Sequence, residues 1–186
     1  MSAKISVVCV SITLIALLFF SCSPSYETEY KSIFEKSFSA EITVKTSDTE
    51  YKASIRLAEI PSPDTEGGAD TSVLRDASVV YTYPDTADGL SAKREGGKTS
   101  LNVSGIEIVP SENIAKKYMF TADLLDIRAE HITDIKTVKT DGVELYEMSF
   151  EHEGQMYKAI VSKESKVPIS IEGADMKITV NSFLYT

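Results

Sequence analysis

The side chain with the most distinctive chemical prospects in this 186-residue chain is the thiol of Cys22. It follows Ser21 at the end of an apolar stretch, Ile5 to Phe20, that opens behind Lys4. A basic start, a hydrophobic segment and a small residue before a cut make a bacterial secretory signal. A cysteine placed directly after the cut is the thiol that receives a diacylglyceryl group. Phe19-Phe20-Ser21-Cys22 therefore predicts a signal peptide over 1–21, lipidation of Cys22, and a protein held on the outer side of a bacterial membrane. The apolar stretch is shorter than the roughly 18 residues a membrane span needs. It is also interrupted by Ser6, Ser11 and Thr13. Cys9 lies in the segment to be removed, so the mature domain holds no free thiol and no disulfide, and its core alone must stabilise it.

Other reactive side chains are sparse. His131 and His152 are not at metal-ligand spacing, and Glu151-His152-Glu153 reads as a solvated hairpin turn with diverging side chains. Asp123 and Asp126, three apart on a helix, share a face and read as surface acids. No nucleophile elbow, phosphate loop or dinucleotide fingerprint is present. The expectation is a protein that is not an enzyme, with no catalytic residues, no metal and no cofactor.

The charge balance, 28 acids against 19 bases, gives a net charge of -9. Such a surface is repelled by nucleic acid, so no nucleic-acid partner is expected. Lys93-Arg94 and Lys116-Lys117 are isolated basic pairs that read as solvated surface.

The elements that would position any site are mostly strands. Residues 22–29 form a polar, lipid-anchored tether and 30–186 a single domain. Tyr26, Tyr30, Ile33 and Phe34 fall at helical spacing, which predicts a short amphipathic helix over 26–36. Phe38, Ala40, Ile42 and Val44 then alternate with polar residues, as do Tyr51, Ala53, Ile55 and Leu57, which predicts a hairpin with one dry face. Residues 61–71 read as a loop. The alternation in 73–83 places Ala77, Val79, Tyr81 and Tyr83 on one face. Strands follow over Leu90–Arg94 and Lys98–Val103, and then Gly105 and the run Ile106-Glu107-Ile108-Val109. Ser111 is the N-cap of a helix that should fade near Ala129, with Ile114, Tyr118 and Met119 pointing inward. From Ile132 onward, turns every 10 to 12 residues predict a meander.

This order of elements resembles the lipoprotein carrier (LolA-like) superfamily. Three stretches carry the likeness: Phe38-Ser-Ala-Glu-Ile-Thr-Val after the first helix, Tyr83-Pro84 to Gly89-Leu90, and Val167-Pro168-Ile169-Ser170-Ile171 with the strand Lys177 to Phe183. The resemblance implies an α+β fold, an incomplete half-barrel of curved antiparallel sheet whose concave face is covered by helices. It further implies an enclosed apolar cavity that takes acyl chains. A curved sheet under sparse helices leaves room for a lipid or other hydrophobic ligand. Candidate lining residues are Phe38, Ile42, Ile55, Tyr81, Tyr83, Ile114, Tyr118, Met119 and Tyr157, each of which also fits ordinary core packing. The expectation is a membrane-anchored binding lipoprotein, with a role in lipid or lipoprotein trafficking. The alternative is a structural or regulatory envelope protein that binds another protein through its outer sheet surface.

Overall fold

The computed structural model describes residues 36–59 and 74–186. The expected signal peptide, Cys22, the tether, the helix over 26–36 (save Lys36) and the loop over 61–71 lie outside the described residues.

Eleven antiparallel strands form one sheet: β1 (Phe38–Thr46), β2 (Glu50–Leu57), β3 (Ala77–Tyr83), β4 (Leu90–Glu95), β5 (Lys98–Val103), β6 (Ile106–Ile108), β7 (Ile132–Thr140), β8 (Val143–His152), β9 (Gln155–Ser162), β10 (Pro168–Glu172) and β11 (Met176–Tyr185). The spatial order is β6-β5-β4-β3-β2-β1-β11-β10-β9-β8-β7, so among the described residues β6 and β7 are the two edges and the sheet is not closed. Two meanders meet where β1 pairs with β11, from Phe38↔Tyr185 to Thr46↔Met176. Alternation sets the buried face. Phe38, Ala40, Ile42 and Val44 of β1 are buried, as are Ala53, Ile55 and Leu57 of β2 and Tyr146, Met148 and Phe150 of β8. Their neighbours on the other face, such as Glu41, Lys45, Lys52 and Arg56, are exposed.

Among the described residues there is one α-helix, α1 (Glu112–Leu125), where helices in the plural were expected over the sheet. It packs on β2 to β5. Residues 109–131 carry the chain from edge strand β6 to edge strand β7, across the buried face. The helix ends four residues short of Ala129. Asp126 leaves the helical path, its N–H reaching the carbonyls of Ala122 (3.1 Å) and Asp123 (3.2 Å), and a 3-10 turn over Ala129–His131 leads into β7. Ser111 stands at the N-cap without a side-chain cap, and its carbonyl accepts from Ala115 N–H at 2.9 Å.

The register corrects one face assignment. Ala53 pairs with Tyr81 but Lys52 pairs with Tyr83, so a bulge inserts one extra residue in β3. A bulge reverses the alternation beyond it. Tyr83 consequently joins Lys52 on the wet face, 44% exposed, with the Lys52 ammonium 5.7 Å from its ring.

Candidate functional site

The site is a groove of about 610 Å³ between α1 and the end of the sheet where β1 stops and β2 starts. Its apolar wall is Tyr51 on β2, Tyr81 on β3, Tyr118 and Phe120 on α1, and Met176 at the start of β11. Asn113, Lys116 and Lys117 on α1, with Glu153 in the β8–β9 turn, form a polar rim. The rings hold one another in place. Tyr51 and Tyr81 have centroids 5.6 Å apart, and Tyr81 meets Tyr118 edge-on at 6.0 Å. Tyr81 Oη donates to the Tyr118 carbonyl at 3.1 Å, which locks strand β3 to the helix. Burial pushes the Tyr81 phenol above its ordinary value, with the neighbouring Tyr51 and Tyr118 phenols adding to the shift. Burial raises the Tyr51 phenol as well. These hydroxyls are therefore neutral at physiological pH, and the wall is apolar with fixed polar tips, the usual make-up of a small-molecule pocket. Phe120 also approaches the Tyr157 ring at 6.4 Å and His152 at 5.9 Å, joining the helix to β8 and β9.

The residues expected to line a cavity divide by position. Tyr81 and Tyr118 line the groove. Phe38, Ile42 and Ile55 are fully buried core, and Tyr157 is nearly so. Met119 is buried and borders a second cavity of about 790 Å³ toward β4–β6. Ile114, 47% exposed, and Tyr83 on the wet face line neither cavity; Ile114 does not point inward, and its neighbours Glu112, Asn113, Lys116 and Lys117 on the first turns of α1 are exposed with it. Tyr51, Phe120 and Met176 were missed. Phe120 sits about 100° around the helix from Met119, off the face that the 3.6-residue period of α1 selects.

Behind the groove lies a buried ionic cluster that also overturns two readings of surface charge. Arg94 is buried on β4, and Nη1 pairs with Asp123 Oδ1 at 2.8 Å, while Nε donates to the Arg75 carbonyl at 2.7 Å. Arg75 is buried in turn. It pairs with Asp126 at 3.0 Å and donates to the carbonyls of Ala58 and Lys36, each at 2.7 Å. Arg128 closes on the other oxygen of Asp126 at 3.0 Å. Burial holds the Asp123 carboxyl above the usual carboxylate range, although Arg94 pulls it the other way. Each acid is held by an arginine, so the cluster pins the end of α1 to the sheet. Among the described residues no group of His, Cys, Asp or Glu is placed to hold a metal ion, and no helix is long and apolar enough to cross a membrane.

No protein-family model matches the sequence. No curated protein matches it either. Similar solved structures include an uncharacterized conserved protein from Thermus thermophilus, 9% identical over 86% of this chain and 84% of that one, with a TM-score of 0.52. Another is the Pseudomonas aeruginosa MucA/MucB complex, 8% identical over 83% of this chain and 53% of that one, TM-score 0.45, so the match spans about half of that chain. A third is a LolA superfamily protein from Nitrosomonas europaea, 10% identical over 86% of this chain and 93% of that one, TM-score 0.38. The chain thus shares the fold of the Thermus protein.

Proposed function

We propose that this protein is an extracytoplasmic lipoprotein, anchored through Cys22, that carries a lipid or other hydrophobic ligand in the groove beside α1. The observation that carries the reading is the aromatic wall of Tyr51, Tyr81, Tyr118, Phe120 and Met176 around about 610 Å³. That volume lies within the range of ligand pockets, and the wall offers dispersion contacts along an acyl chain. Lys116 and Lys117 at the rim suit a polar or acidic head left in water.

We read the sheet as a half-barrel that curls around α1. Thr121, Ala122, Leu124 and Leu125 are all buried, and at 100° per residue they spread over about 160° of the helix circumference. A helix lying on a flat sheet buries a narrower stripe. Bulges between Glu41 and Ile42 and between Lys52 and Ala53 bend the strands that must curve.

Native mass spectrometry of the protein isolated from its own membranes tests the reading. A co-purifying apolar molecule, lost on delipidation and regained from solution, supports it. Protein that emerges without such a molecule and takes up no fatty acid, lysolipid or diacyl lipid afterwards rules it out.

A further inference from the structure

The two edges of the sheet are built differently, and the difference identifies a second interaction surface. Edge strand β7 carries Asp134, Lys136 and Lys139 along its length, with Lys136 paired to Asp134 at 2.7 Å. Charges of this kind stop an edge from accepting another strand. Edge strand β6, Ile106-Glu107-Ile108, carries a single charge and no lysine. Its register, Leu101↔Ile108 and Val103↔Ile106, places both isoleucines on the face where Leu101 is buried. Yet Ile106 is 68% and Ile108 44% exposed, and Val109 beyond them is 88% exposed. Glu107, opposite Asn102, faces the other way. Among the described residues Glu107 makes no ion pair, and nearby Lys93 is already engaged with Glu95 at 2.6 Å. The backbone of β6 bonds only to β5 among the described residues, which leaves its outer N–H and C=O groups unpaired. Gly105, with φ 88°, and Pro110 bracket this short edge.

We infer that β6 accepts one extended segment of a partner protein as a twelfth strand, a short stretch in which apolar residues alternate with a basic one. Main-chain bonds supply the attachment, and alternate side chains supply the choice of sequence. The apolar residues cover Ile106 and Ile108, and the basic residue meets Glu107 across the strands, where an opposite-charge pair is favourable. A second copy of this chain is disfavoured as the occupant. Antiparallel self-pairing centred on Glu107 sets two carboxylates directly opposite each other, which is destabilising.

The test uses the protein as isolated, isotopically labelled, and two short peptides: valine-lysine-valine-lysine-valine and its glutamate counterpart. The lysine peptide should shift the backbone amides of Ile106 to Val109 and leave those of β7 unmoved, while the glutamate peptide shifts neither. Glu107 is exposed, so Glu107→Lys should fold normally; it should weaken the lysine peptide about threefold and let the glutamate peptide bind. Equal response to both peptides, or shifts confined to β7, overturns the inference. So do β6 shifts that follow protein concentration without peptide, which mean self-association. β6 shifts with phosphatidylcholine vesicles and with neither peptide also overturn it, because they mean a lipid surface.

Discussion

Arg75 and Asp126 meet 3.0 Å apart in the interior, with the arginine side chain fully buried and the aspartate nearly so. The contact joins the end of α1 to the strand side of the core. The same guanidinium holds the carbonyls of Lys36, just before β1, and Ala58, just after β2. One side chain therefore fixes three separate segments. Removing it leaves two carbonyls and one oxygen of Asp126 without their donor, while Arg128 still offsets the Asp126 charge. Arg75→Met should cost about 1–3 kcal/mol for those unmet acceptors. Asp126→Asn should cost more, since it removes the counter-charge that Arg75 and Arg128 share in the interior. Urea unfolding followed by circular dichroism measures both, and equal stability of Arg75→Met and wild type would refute the structural role.

Gly173 lies between β10 and β11, where a Cβ would come within 2.5 Å of the Tyr157 ring. That ring is stacked on Phe150 at 5.7 Å and cannot retreat without disturbing Phe120. Gly173→Ala should destabilise by about 1–3 kcal/mol as an overpacked site. Tyr157→Leu in the same chain should recover part of the loss, a coupling that a double-mutant cycle reads directly.

The Tyr81 phenol sets a pH dependence at the alkaline end. Its value in the folded protein lies above the ordinary 10.0 because of burial. Above pH 10 the unfolded chain releases this proton while the folded one keeps it. The unfolded state then binds fewer protons, and stability falls as pH rises. Tyr81→Phe should lose about 1 kcal/mol at pH 7 with the bond to the Tyr118 carbonyl and show a shallower decline above pH 10. Parallel alkaline curves for the two proteins would contradict this.

Anchoring has its own chemical readout. Cys22→Ser should leave the precursor uncleaved and without lipid, seen by intact mass or metabolic labelling with a fatty acid. Undiminished labelling of the variant would remove the anchor from the account.

The strands were legible because a sheet with one dry face writes a period of two into the chain. Phe38, Ala40, Ile42 and Val44 were marked for the core by that pattern, and all four are buried. The same rule misplaced Tyr83, since alternation carries no record of a bulge set by pairing with another strand. Arg94, Asp123 and Asp126 were read as surface because ionised side chains are rarely buried. Their burial depends on partners 19 to 51 residues away, Arg75 among them, which no local pattern reveals. The groove was half legible for a related reason. Tyr81 and Tyr118 stood on recognisable apolar faces. Phe120 and Met176 reach the site from positions whose role is decided by how three distant elements converge.

The most direct test of the account is a titration with a fluorescent fatty-acyl probe against wild type, Asn113→Trp and Ile114→Trp. Asn113 is exposed on the rim of the groove, so an indole there fills the mouth without entering the core. Ile114 is its exposed neighbour outside the groove lining and controls for a surface tryptophan. All three proteins should melt alike. The probe should bind wild type and Ile114→Trp equally, and Asn113→Trp at least about tenfold more weakly, a loss of about 1.4 kcal/mol. Equal binding by all three proteins, or none by wild type after delipidation, would contradict a ligand site in the groove beside α1.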